Sequence, residues 1–149
     1  SEHPEVRAAA YKALANLVST DDDQGMRKVI SMLSGAVNDD AREVQLTAMR
    51  ELGDFKDPKA VSSIALQLNA SDKLVRLTSI RSLGETGHPT ALEPIASALT
   101  EPDPEIRRAA IEALGEFGGN QAKQRLQSRL DDEEDEELRE LIQKTVRKL

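Results

Sequence analysis

The sequence predicts an all-α protein, an α-solenoid in which antiparallel helix pairs stack into a right-handed superhelix. Three observations carry that expectation. The 149-residue chain overlays on itself at a shift of 31 residues, and self-similarity at a fixed period of roughly 20–50 residues is the mark of repeat architectures. Within each copy, apolar residues recur at offsets of 4 and 8, which puts them on one stripe of a helix. Aromatic residues are only 2% of the chain, so core volume must come from Ala, Leu, Ile and Val, which suit closely packed small helices.

The first helix of each pair, the A helix, is read from three segments in register: EVQLTAMRELGDF from Glu43, LVRLTSIRSLGET from Leu74 and EIRRAAIEALGEF from Glu105. One column runs Val44, Val75, Ile106, a second Ala48, Ser79, Ala110, and a third Leu52, Leu83, Leu114, followed by Gly53, Gly84 and Gly115. Upstream, EVRAAAYKALANL matches with Val6, Ala10 and Leu14 after a spacing of 38; downstream, Leu138, Ile142 and Val146 continue the columns at 32.

The second, or B, helices lie between. Ala60, Ala91 and Ala122 align, then Ile64, Ile95 and Leu126, then Leu68, Leu99 and Leu130. Met26, Ile30, Leu33 and Val37 fill that role in the first repeat, within a longer B helix or loop. Asp57-Pro58 and His88-Pro89 put proline near the first helical position. Asp72 and Asp103 stand where A helices need caps, and Gly87 and Gly118 can take positive φ after them. Pro94 either kinks its helix or moves its start beyond Pro89. Nine helices result, as repeats spanning about 3–38, 39–70, 71–101 and 102–131 and a C-terminal capping helix over 135–149. That last helix is charged on its outer side. The first, with Ala8, Ala9, Ala10 and Tyr11 in one run, is less capped and points either to a fragment of a larger parent chain or to a partner covering that end.

Composition excludes several classes. Charged residues make up 32% and the net charge is −7, which argues against binding a nucleic-acid backbone. No apolar run approaches the roughly 18 residues of a membrane span. The absence of cysteine excludes disulfides and thiolate chemistry and fits a reducing compartment, so a cytoplasmic location is expected.

The stretch DPEIRRAAIEALGEFG, Asp103 to Gly118, closely resembles the HEAT repeat, in the short bacterial and archaeal form known from phycobilin lyase subunits. Asp72 to Gly87 and Asp39 to Phe55 are weaker copies of its D-P-x-V-R-x-x-A-x-x-A-L-G pattern. The resemblance covers nearly the whole chain and is specific for fold, while arrays of this kind serve many partners. It implies about four HEAT-like repeats. The family's arginine recurs as Arg7, Arg76, Arg107 and Arg139, with Gln45 breaking the series. Asp72, Asp103 and Asp135 lie four residues before their arginines, so a structural ladder of capping and ionic contacts between repeats is expected.

Catalytic chemistry finds no foothold. HEAT-like hydroxylases that bind iron carry paired His-Glu motifs, whereas His3 and His88 each precede a proline and are read as capping or turn residues. Asp21-Asp22-Asp23-Gln24-Gly25 fails as a calcium loop, because the glycine comes one place early and Met32 stands where a bidentate Glu is required. It reads as the capped start of the first B helix. The run Asp131–Glu137 reads as a solvated connection whose carboxylates favour the last helix N-terminus; the alternatives are an acidic docking patch or a loosely held divalent cation. No cofactor is expected.

B-helix columns that vary freely between repeats mark the expected concave binding groove. They are Ser62, Glu93, Gln124; Ser63, Pro94, Arg125; Leu66, Ser97, Ser128; and Gln67, Ala98, Arg129, with Lys28, Ser31 and Ser34 in the first repeat. The groove is polar and lacks aromatic anchors for tight interfaces or for stacking bases. The functional expectation is a non-catalytic scaffold or adaptor domain that binds a protein or peptide there. The alternative is an accessory or chaperone subunit of a phycobilin-lyase-like system.

Overall fold

The computed structural model describes residues 2–149, and among them are nine α-helices and no strand. The A helices are α1 (Pro4–Leu17), α3 (Arg42–Gly53), α5 (Lys73–Thr86), α7 (Pro104–Phe117) and α9 (Glu136–Lys148). The B helices are α2 (Asp23–Ala36), α4 (Pro58–Ala65), α6 (Leu92–Ser97) and α8 (Gly119–Leu130). Helices α4 and α6 each finish in a 3-10 turn, over Leu66–Asn69 and Ala98–Thr100.

Short side chains start most of these helices by satisfying first-turn amides that have no intrahelical acceptor. Asp22 accepts from Gly25 N at 2.9 Å, which makes the Asp21–Gly25 stretch the start of α2. Asp57 accepts from Lys59 N, Asp72 from Leu74 N and Asp103 from Glu105 N, each at 2.8 Å. Asp135 does the same for Leu138 N at 3.1 Å. In the third repeat a 3-10 turn over Pro89–Ala91 precedes α6, and α6 proper begins at Leu92. Pro94 is therefore a first-turn residue, where a missing N–H leaves no bond unmade. Gly87, at φ 59° and ψ 10°, and Gly118, at φ 75°, end α5 and α7 in backbone conformations that disfavour a side chain.

Each of α3, α5, α7 and α9 packs on the A helix before it and on the B helix immediately ahead of it in the chain. The three A columns form the core: Val44, Ala48, Leu52, Ser79, Leu83, Ala110 and Leu114 are all fully buried. Ser79 identifies the neighbour this stripe faces, since its Oγ donates to the Ile64 carbonyl of α4 at 2.8 Å. The glycine column lies on the opposite flank and lets A helices touch. A Cβ on Gly84 would stand 3.1 Å from the Ala113 Cβ, and one on Gly115 would stand 2.7 Å from the Thr145 Cγ2.

Three expectations are corrected. Val6 and Ala10 do not continue the core columns: Val6 is 50% exposed and Ala10 is exposed, because among the described residues no B helix lies against that side of α1. Ala98, expected on the variable surface, is buried, because it turns into the core at the start of the 3-10 turn that closes α6. The Asp131–Glu137 connection is not wholly solvated. Glu133 is 2% exposed and ionically held, as described next.

Candidate functional site

Two sets of polar residues were singled out by the sequence, and the structure gives them different surroundings. The first is the ladder. Asp72 and Asp103 cap their helices and also reach back one repeat, Asp72 to Arg42 at 3.1 Å and Asp103 to Lys73 at 2.8 Å. The arginines do not pair with the aspartates four residues before them. Arg76 donates to the carbonyls of Ala70 and Ser71, Arg107 to those of Glu101 and Pro102, and Arg139 to those of Leu130 and Glu133. Each arginine thus ties the B-to-A connection leading into its own helix, supplying donors to carbonyls left free where a helix ends.

Arg107, and Arg7 at the same place in the first repeat, bridge forward to the next repeat. Arg7 holds Asp39 by two bonds, Nε to Oδ2 at 3.0 Å and Nη2 to Oδ1 at 2.8 Å. Arg107 holds Glu133, Nε to Oε1 at 2.9 Å and Nη2 to Oε2 at 3.3 Å, and Arg129 adds a contact at 3.4 Å. The Arg7 hydrogen bond, with that of the Ala41 amide, holds the Asp39 carboxyl below its ordinary pKa. At Glu133 burial alone pushes the pKa up, but the Asp135 amide, the Arg107 hydrogen bond and the charges of Arg107 and Arg129 outweigh it and leave it lowered.

Sequence reasoning missed Glu133 and Asp39 as the acids of this ladder, although a signal existed. Five residues before Val44, Val75, Ile106 and Leu138 stand Asp39, Ala70, Glu101 and Glu133. In the repeat where the family's arginine is replaced by Gln45, the acid in the following connection is replaced by Ala70. Arg76 and Glu101 occupy the same two positions without pairing, and Arg76 binds only the connection before it, at the carbonyls of Ala70 and Ser71.

The second set lies on the B helices. A cleft of about 290 Å³ opens between α6 and α8, lined by Glu93, Ala96, Ser97, Leu99, Thr100, Arg125, Ser128, Arg129 and Asp132. Five of the candidate groove residues meet there: Glu93, Ser97, Arg125, Ser128 and Arg129. Arg125 and Glu93 form an exposed ion pair across it. The Nε of Arg129 is buried in the wall without a hydrogen-bond partner. Lys28, Ser31, Ser62, Ser63, Gln67 and Gln124 lie outside this cleft. Ser31 accepts from Lys59 Nζ at 3.2 Å, and Gln67 donates to Asn38 at 3.3 Å. The Ser62 and Ser63 hydroxyls turn back onto the Pro58 and Lys59 carbonyls of their own helix. Among the described residues, no group of three or more His, Cys, Asp or Glu is arranged to hold a metal ion.

The fold and its ladder define a helix-pair solenoid, whose repeats are joined by tight A-helix contacts and by arginines bound to the connections. Residues 1–65 and 63–147 match the HEAT repeats family. The chain belongs to that family. No curated protein sequence matches it. Among solved structures, it is similar to human deoxyhypusine hydroxylase in complex with glycerol, at 20% identity and a TM-score of 0.69, covering 99% of this chain and 68% of that one. A designed armadillo repeat protein in complex with the peptide (KR)4 matches at 18% identity and a TM-score of 0.65, over 99% and 77% of the two chains. The complex of CpcE and CpcF of phycocyanin lyase from Nostoc sp. PCC7120 matches at 17% identity and a TM-score of 0.63, over 92% and 98%. At these identities the likeness is one of fold.

Proposed function

We propose that this chain is a non-catalytic interaction module, a scaffold or adaptor that binds a protein or peptide in the α6–α8 cleft of its B-helix face. The observation that supports this is the convergence there of Glu93, Ser97, Arg125, Ser128 and Arg129 around a single open cleft. Arg125 and Glu93, both exposed, present both charges to a ligand. Leu99 and Ala96 supply the apolar floor on which an extended segment can rest. The competing surface is the A-helix face. On that face Leu74 is 38% exposed.

Affinity capture from native extract separates the two surfaces. Wild type is run beside a cleft variant, Ser97→Arg with Ser128→Trp, and an A-face variant, Leu74→Glu with Arg81→Glu. A protein retained by wild type and the A-face variant but lost by the cleft variant supports the reading; loss only with the A-face variant refutes the site.

The second reading is an accessory subunit of a bilin lyase. Its support is the match that spans 98% of one phycocyanin lyase chain. A visible absorbance change on mixing with a bilin would favour it, and an unchanged spectrum would reject it.

A further inference from the structure

The α6–α8 cleft is uneven both in charge and in hydrogen-bonding capacity. Its two cations are matched inside the molecule, Arg125 by Glu93 across the opening and Arg129 by Glu133 at 3.4 Å. Asp132 is the remaining charge on the lining. Its side chain is exposed and holds no hydrogen bond or ion pair among the described residues.

The hydroxyl protons of the α6 wall are committed as well. Ser97 Oγ donates to the Pro94 carbonyl at 2.6 Å, and Thr100 Oγ1 donates to the Ser97 carbonyl at 3.0 Å. Both oxygens therefore offer the cleft lone pairs and no proton. Helix α8 finishes at Leu130, close to Asp132, and a helix C-terminus favours positive charge. Ala96 and Leu99 add an apolar strip beside these acceptors. An aliphatic stem ending in a head that only donates fits such a lining, and lysine and arginine have that build. An acidic side chain would meet no unpaired cation here. It would have to displace Glu93 from Arg125 or the buried Glu133 from Arg129.

We propose that the segment bound in this cleft is basic, and that it lays a lysine or arginine along Ala96 and Leu99 with the charged head on Asp132 and the Ser97 and Thr100 oxygens. The inference rests on the reading of the cleft as the binding site and adds the chemistry of its occupant.

The test is fluorescence anisotropy with a labelled, end-blocked peptide of alternating lysine and alanine, beside its glutamate–alanine counterpart, in about 0.15 M salt to screen long-range attraction. Wild type should bind the lysine peptide about tenfold tighter than the glutamate peptide. Asp132→Asn should weaken the lysine peptide by about fivefold. Glu134→Gln removes the same charge from an exposed acid outside the lining and should change binding less than about twofold. Ser128→Trp, which fills the cleft without altering charge, should abolish binding. Equal losses in Asp132→Asn and Glu134→Gln, no preference for lysine over glutamate, or full binding by Ser128→Trp would each overturn the proposal. A captured protein that Ser128→Trp loses and Asp132→Asn keeps in full would overturn it too, while leaving the cleft as the binding site; capture indifferent to Ser128→Trp would overturn both.

Discussion

Arg107 of α7 and Glu133 of the α8–α9 connection form a buried ion pair, Nε to Oε1 at 2.9 Å, with the Glu133 side chain 1% exposed. Arg107 also binds the carbonyls of Glu101 and Pro102 on the connection before it. One side chain therefore fastens the connections on both sides of its repeat. Arg7 does the forward half of this with Asp39.

Removing the acid alone strands the guanidinium. Glu133→Ala is expected to lower stability by about 3–5 kcal/mol, the usual consequence of breaking a buried pair from one side. Glu134→Ala, at the exposed neighbouring residue, should stay within about 0.5 kcal/mol. Urea unfolding of the two variants measures the difference; equal midpoints would show that the pair contributes nothing to the stack.

The pH dependence follows from the same groups. Glu133, Asp39, Asp103 and Asp72 all titrate below their ordinary values in the folded chain. Carboxylates with lowered folded pKa bind more protons when unfolded, so their stabilisation is present above an ordinary carboxylate pKa of about 4 and is lost as pH falls below it. Glu51 and Glu85 act oppositely. Burial, then the charge of Asp54, raises both, so their protonation in mild acid removes a strain. Stability should thus change little down to about pH 5 and fall steeply below about pH 4. Glu133→Gln should make that fall shallower, as read from urea midpoints across pH.

The glycines of the A helices differ from Gly35 of α2. Gly84 meets Ala113 at its missing Cβ, and Gly35 meets nothing within 4 Å. Gly84→Leu is expected to cost about 1–3 kcal/mol through overpacking between α5 and α7. Gly35→Ala should raise stability by about 0.5–1 kcal/mol through helix propensity alone. Thermal midpoints moving the same way for both would contradict the close-contact role of Gly84.

How much of this was legible follows from what repeats reveal. A column that stays apolar across copies declares the core, so the helix pairs, their starts at Asp57, Asp72 and Asp103, and the family resemblance could be read directly. The alanine run of α1 marked that helix as less capped, but the exposure of Val6 and Ala10 could not be read, because they share the composition of buried columns. Ala98 misled for the opposite reason: it varies in type among Gln67 and Arg129 yet sits where the backbone tightens into a 3-10 turn. Glu133 stood in a run of seven acidic residues that hid the one with an arginine partner. The cleft depends on the spacing of α6 and α8 in space, which no column pattern encodes.

The ion pair across that cleft offers little to the fold. Arg125 and Glu93 are 49% and 64% exposed at their side chains, so Arg125→Glu should change stability by no more than about 1 kcal/mol. Loss of binding in that variant, with an unchanged urea midpoint, therefore reports on the cleft.

The most direct measurement is amide hydrogen exchange along the chain, with and without a protein retained in the affinity capture. Binding in the cleft predicts slowed exchange concentrated in α6, the turn at Ala98–Thr100 and α8. Protection confined to the A helices, or to α1, with α6 and α8 unchanged, would contradict it.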